Sequence, residues 1–299
     1  MADSKLELLQ GQRILITGAA RGIGAALAER LASRGARLAL IGLEPELLAA
    51  VAERCGEDTF VGECDVSQST QVTAAIDAAA AALGGLDIVV ANAGIATAGP
   101  LRTQDLRSWE RVIETNLLGV MYTDRAALAH LEASRGYLLN IASAAASLRS
   151  PGLSAYCAAK AGVEALSDCL RVEVRPFGIQ VGVAYFMVLN TDMVRDFERE
   201  LPSLERGRRE LPGVLRHTYP VTPAIDQLVA GIVTRRRRIA YPRWFLKTLA
   251  FRQLFASEVS ERVAGRGVAH SLAEHERLVA ERGARAISST ARTRALGGL

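Results

Sequence analysis

The sequence predicts an α/β protein: a doubly wound parallel sheet with helices on both faces, followed by a helical C-terminal extension. Two observations carry this. Short runs rich in Val, Ile and Leu alternate with longer helical patterns between residues 13 and 186, the order of repeated βαβ units. Those runs are apolar nearly throughout instead of alternating with polar residues, so both faces of the sheet must be covered. At 299 residues, 49% of them apolar, the chain can bury one large core.

Taken in order, strands are expected at 13–19 (RILITGA), 37–43 (RLALIGL), 59–65 (TFVGECD), 87–93 (DIVVANA), 136–143 (GYLLNIAS) and 179–186 (IQVGVAYF). The intervening stretches, such as GIGAALAERLASRG and the Ala-rich STQVTAAIDAAAAALGG, favour helix because Ala and Leu lose little side-chain entropy there. In TPAIDQLVAGIVTRRRR, Thr222 is expected as N-cap and Pro223 at the first helical position, which leaves the arginines at the C-terminus, where cations favour the helix dipole. IAYP (239–242) reads as a last strand ended by Pro242. A domain of residues 1–242 and an extension of residues 243–299 follow, the stretch from about 284 onward expected to fray.

The net charge of +4 conceals an asymmetry: residues 1–200 carry a balance of −6 and residues 201–299 a balance of +10. No recognition motif accompanies the basic tail, so nucleic acid is not an expected partner. No stretch reaches the length of a membrane span, and the N-terminus lacks a signal-peptide pattern. A cytoplasmic protein with reduced thiols is expected, since Cys55, Cys64, Cys157 and Cys169 show no metal-ligand spacing. Residues 244–255 mix aromatic and aliphatic residues with Lys247 and Arg252. They leave three readings open: a cover over a site, packing on a partner subunit, or peripheral contact with an anionic membrane.

The first strand runs into TGAARGIG, with Gly18, Arg21, Gly22, Ile23 and Gly24 at the start of a helix. Glycines here let the backbone approach a pyrophosphate, and the helix N-terminus supplies free N–H groups and partial positive charge. A dinucleotide is implied. Beyond the second strand, Glu44 would accept from a ribose 2′-hydroxyl and repel a 2′-phosphate, while Arg21 would do the reverse; the reading leans to NAD(H) over NADP(H). Tyr156 and Lys160, four residues apart in YCAAK, share one helix face. An ammonium beside a phenol favours the phenolate and so prepares it for proton exchange with a carbinol or carbonyl oxygen.

The glycine turn and the Tyr-Lys pair together resemble the short-chain dehydrogenase/reductase family, with its single Rossmann-like domain. The resemblance runs from about Leu9 to Met193, through TGAARGIG, CDV (64–66), NAGI (92–95), TNLLG, LLNIAS and YCAAK in that order. It implies NAD(P)-dependent interconversion of a secondary alcohol and a ketone, with Tyr156 as general acid/base and Ser143 holding the substrate oxygen. Lys160 would bind the nicotinamide ribose and lower the Tyr156 pKa, and Asn116 would position a helix carbonyl and water in a proton relay. Asp65 and Val66 would meet the adenine, with Asn92, Ala93 and Gly94 lining the cofactor cleft. It also implies a homodimer or homotetramer through the helices around 103–133 and 154–175. One departure stands out: Phe186 and Met187 occupy the family's usual Pro-Gly positions, while Thr191 matches a nicotinamide-contacting residue. Two bulky apolar side chains there would make a greasier pocket wall and suit a moderately large apolar substrate. The alternative is a regulatory or scaffold protein that binds the cofactor without turnover, since fold alone does not establish function.

Overall fold

A computed structural model describes residues 9–200, 202–209, 213–258, 272–274, 276–277 and 280–281. Its centre is a seven-stranded parallel sheet: β1 (Arg13–Thr17), β2 (Arg37–Gly42), β3 (Phe60–Glu63), β4 (Ile88–Ala91), β5 (Tyr137–Ile141), β6 (Gln180–Phe186) and β7 (Arg238–Tyr241). The order is β3-β2-β1-β4-β5-β6-β7. Chain direction across the sheet reverses between β1 and β4, where Ile14, Leu15 and Ile16 pair with Ile88, Val89 and Val90. A doubly wound sheet opens its ligand crevice at this switch point.

The period-two alternation of strand side chains divides the core between two faces. Ile14, Ile16, Leu38 and Leu40 face one layer, made by α1 (Gly22–Ala32), α2 (Pro45–Cys55) and α9 (Val221–Val233). Leu15, Ile41, Val89 and Leu138 face the other, made by α3 (Ser69–Leu83), α5 (Gly119–Ser134) and α6 (Ser154–Glu173). This double coverage explains the uninterrupted apolar strands. Three shorter helices follow β4 and β6: α4 (Leu106–Ile113), α7 (Asp192–Glu200) and α8 (Pro202–Arg209).

The C-terminal part departs from expectation in one detail. Helix α9 begins at Val221 with Pro220 at the N-cap position and no side-chain cap, so Thr222 lies within the first turn and caps nothing. The arginine run is absorbed into the fold. Arg235, at φ 46°, turns the chain out of α9 and donates to the Arg135 carbonyl at 2.8 Å. The Arg236 carbonyl accepts from the buried Tyr137 hydroxyl at 2.7 Å, and Arg238 donates to Asp168 on α6 at 3.1 Å. Downstream, α10 (Phe245–Thr248) returns to the same domain: Phe245 is fully buried, 6.0 Å from the Tyr185 ring, and Leu249 is buried nearby. Arg252 donates at 3.0 Å to Glu164 on α6. The residues expected to fray, 284 onward, lie outside the described residues.

Candidate active site

The glycine turn is shaped by what it touches. Gly18 sits at φ +64°, and a Cβ there would stand 2.6 Å from the Ala93 Cα; only glycine combines that dihedral with that approach. A Cβ on Gly24 would collide with the Gly18 carbonyl oxygen and with the Asn92 amide. Gly22, at φ +57°, faces open space, with nothing within 4 Å of its missing Cβ. The turn therefore packs tightly against β4 on one side and leaves room on the other, at the N-terminus of α1. That geometry fits a pyrophosphate, because the first N–H groups of a helix have no partner of their own.

Asn92, Ala93 and Gly94 complete the cleft wall. Asn92 donates through Nδ2 to the Thr17 and Gly18 carbonyls, each at 3.0 Å, and the Asn92 and Ala93 amides donate to the Thr17 hydroxyl at 3.0 and 3.1 Å. Thr17 is thus a brace that the sequence reading missed, although it opens the TGAARGIG motif. Glu44 precedes α2, and its carboxylate forms an ion pair with Arg21, so the two residues read as opposing specificity signals neutralise each other. Asp65 accepts from the Ser67 amide at 2.9 Å and pairs with Arg111 of α4 at 2.5 Å. Burial opposes its charge, while Arg111 and Ser67 together hold its pKa below the usual carboxylate range. Val66 is buried beneath Gly119, where a Cβ would stand 2.9 Å from it.

The chemistry-bearing residues converge beyond the C-terminal ends of β4 and β5. Asn116 is fully buried in a π-helical turn (Glu114–Leu118) between α4 and α5; such turns widen the helix and often mark functional positions. Its carboxamide clasps Ile95, accepting from the amide and donating to the carbonyl, both at 2.8 Å. Asn116 and Lys160 both border Gly94, where a Cβ would lie 3.3 Å from Asn116 Oδ1 and 3.6 Å from Lys160 Nζ. Lys160 is buried, donates to the Ile141 carbonyl at 2.8 Å and has its ammonium 5.8 Å from the centre of the Tyr156 ring. Burial lowers its pKa to about 8.

Tyr156 is half-buried in the first turn of α6, where the helix N-terminus favours negative charge. Burial nevertheless raises its pKa, and a hydrogen bond with Ser143 offsets part of the rise. The Lys160 ammonium points to the Ile141 carbonyl and to the face of the Tyr156 ring. Ser143 also caps a short helical turn, accepting from the Ala145 amide at 3.2 Å, so it serves both as strand-end cap and as neighbour of Tyr156.

The remaining candidates lie elsewhere or differ from expectation. Thr191 stands just before α7, its carbonyl accepting from the Arg195 amide at 3.0 Å. Phe186, the last residue of β6, and Met187 after it are buried: Phe186 clusters with Leu189 and Ile239, and Met187 with Val163 and Phe245. All four cysteines are free. Among the described residues no cluster could hold a metal ion and no helix is long and apolar enough to cross a membrane.

Comparison with known proteins agrees with this geometry. A family model described as short chain dehydrogenase matches residues 12–202. The chain is 38% identical over 189 residues to D-threitol dehydrogenase of Mycolicibacterium smegmatis, covering 62% of this chain and 73% of that one. It is 34% identical over 224 residues to (-)-trans-carveol dehydrogenase of Rhodococcus erythropolis, covering 68% and 80%. It is 29% identical over 261 residues to 11-beta-hydroxysteroid dehydrogenase A of Sesamum indicum, covering 85% and 75%. With the crevice, the Tyr-Lys pair and the family match in agreement, the chain belongs to the short-chain dehydrogenase/reductase family and is an NAD(P)-dependent dehydrogenase acting on CH–OH groups.

Proposed function

We propose that the protein interconverts a secondary alcohol and its ketone on a moderately large apolar substrate, using Tyr156 as general acid/base. The observation that supports this is the convergence of Tyr156, Ser143, Lys160 and Asn116 at one end of the sheet: Ser143 hydrogen-bonds Tyr156, Lys160 lies over its ring, and Asn116 clasps Ile95. The nicotinamide cofactor, when bound, supplies the hydride acceptor or donor. Tyr156 takes the carbinol proton in oxidation and returns it in reduction. Ser143 holds the substrate oxygen and the neighbouring hydroxyl in line. Lys160 supplies positive charge beside the phenol and holds the nicotinamide ribose. Asn116, locked on Ile95, fixes the π-helical turn through which a proton relay would leave the site. Gly18, Gly22, Ile23 and Gly24 hold the pyrophosphate, Asp65 and Val66 border the adenine, and Thr191 faces the nicotinamide end.

The Arg21–Glu44 pair supports NAD: the arginine charge that would attract a 2′-phosphate is already engaged. The names of the carveol and hydroxysteroid relatives support an apolar alcohol. Burial of Phe245 and Leu249 supports packing of the extension on its own domain over membrane docking. Exposed Val172 on α6 is consistent with a homodimer or homotetramer through that helix.

The test is Tyr156→Phe. Turnover should fall by about 10²- to 10⁴-fold, while the dissociation constant for NAD(H), read from protein or nicotinamide fluorescence, stays unchanged. Activity within about tenfold of wild type would remove Tyr156 from the mechanism.

A further inference from the structure

We propose that Arg111 is a positioning residue for the base of the cofactor, a proposal that rests on the reading of Asp65 as a border of the adenine. Arg111 fixes one oxygen of Asp65 so that the chain takes adenine, with its 6-amino donor, over a base that lacks one. It belongs to none of the motifs that the sequence displays.

Asp65 stands at the crevice edge of the sheet. The Cys64 amide donates to the Gly42 carbonyl at 2.8 Å, so Asp65 follows directly beyond the C-terminal ends of β2 and β3, the side on which a doubly wound sheet binds ligands. Its carboxylate is nearly saturated. Oδ1 accepts from the Ser67 amide at 2.9 Å and from the Ser67 hydroxyl at 2.7 Å, and Oδ2 accepts from Arg111 Nη2 at 2.5 Å. An ionised carboxylate offers about four acceptor positions, so the one left over is on the oxygen that Arg111 holds. Burial opposes the Asp65 charge, but the hydrogen bonds from Arg111 and Ser67 keep it ionised. A carboxylate recognises only donors, and the one donor on adenine is its 6-amino group.

Arg111 can fix that oxygen because it is itself fixed. Its side chain is only 15% exposed on α4, and Nη1 lies 2.5 Å from the Ser67 hydroxyl and 3.5 Å from Glu114. The guanidinium fork thus grips both ends of the segment 65–67, and between them Val66 is buried under Gly119. Two partners held at once need a planar fork, which an ammonium does not present. Through Glu114, the first residue of the π-helical turn that carries Asn116, Arg111 also supports local structure. That support acts on any cofactor alike, whereas the hold on Asp65 acts only on one with an amino group to donate.

The experiment titrates the full chain with whichever of NADH and NADPH binds tighter and with the hypoxanthine analogue of that cofactor, in which a carbonyl replaces the 6-amino group. Nicotinamide fluorescence reads both dissociation constants, and no alcohol is needed. The wild type should bind the hypoxanthine form about tenfold or more weaker, because an acceptor then faces the carboxylate. Asp65→Ala should bring the ratio of the two constants to within about twofold of one, and Arg111→Met should do the same, chiefly by weakening the adenine form. Equal weakening of both forms in Arg111→Met, with the wild-type ratio kept, overturns the proposal while the reading of Asp65 stands. A wild-type ratio near one, or a ratio that Asp65→Ala leaves intact, overturns the reading of Asp65 and the proposal with it. If Arg111→Met does not fold by circular dichroism, Arg111→Lys decides: a fall in the ratio of about threefold or more supports the fork, and an unchanged ratio overturns it.

Discussion

Asp124 offers a sharp test of how the protein tolerates a buried acid. It lies on α5, 2% exposed, within a polar layer beneath the catalytic one. Asn140 of β5 donates through Nδ2 to Asp124 at 2.8 Å and to Ser167 of α6 at 3.0 Å, and Ser167 donates to the Val163 carbonyl at 2.7 Å. Among the described residues Asp124 Oδ1 and Asn140 Oδ1 have no hydrogen-bond partner, so the layer has more acceptors than donors. Burial raises the Asp124 pKa from the ordinary 3.8 to about 8, the Asn140 hydrogen bond offsetting part of the rise. A proton on Asp124 supplies one missing donor.

The sign follows from linkage. With the folded pKa above the unfolded one, the folded state is favoured in full below pH 3.8 and loses that advantage as pH rises toward about 8. At about 1.4 kcal/mol per pH unit the ceiling on the loss is roughly 4 kcal/mol at pH 7. Relaxation and water entry reduce such ceilings, so about 2–3 kcal/mol is the working expectation. Asp124→Asn keeps the acceptor for Asn140, places NH₂ donors where Oδ1 stood and does not titrate. It should therefore be close to neutral near pH 4.5 and stabilising by about 2–3 kcal/mol near pH 8. Urea unfolding followed by circular dichroism at several pH values, without cofactor and at one protein concentration, measures this. A stability difference that does not change with pH, or destabilisation at pH 8, would refute the assignment of a buried neutral acid.

Three further outcomes are expected. Arg252→Met leaves the buried Glu164 carboxylate with Tyr185, whose hydroxyl donates to it at 2.8 Å; since Arg252 is half exposed, the cost is about 1–3 kcal/mol in chemical denaturation, recovered largely by adding Glu164→Gln. Gly24→Ala drives a methyl into the Gly18 carbonyl and the Asn92 amide; overpacking costs about 1–3 kcal/mol, and cofactor affinity by calorimetry should fall with it. Glu44→Ser frees Arg21 from its ion pair, and the ratio of kcat/KM for NADP to that for NAD should rise by about tenfold or more.

Local patterns announced the scaffold because they depend on nearby residues alone. Strand centres such as Leu15, Val89 and Leu138 were legible as continuous apolar runs, and the Gly18–Gly24 turn and the Tyr156–Lys160 spacing were legible because helix and turn geometry fix what stands beside what. The neighbours of Phe186 and Met187 were not legible. A bulky apolar residue at a strand end says nothing of what it packs against, and here Leu189 and Ile239 meet Phe186 while Phe245 meets Met187. The Thr222 cap failed for a related reason: Ser, Thr and Pro signal a helix start only to within a residue or two.

The sequence by itself determined the alternation of strands and helices, the crevice-forming glycine turn and the shared face of Tyr156 and Lys160, since each is set within a few residues of chain. Tertiary structure alone decided the rest. It brought Arg252 to Glu164, Asn140 to Asp124 and Ser167, and Thr17 to Asn92. These partners are separated by 16 residues or more, and no local propensity encodes which of many polar side chains will meet. Only closure of the core around the sheet selects them.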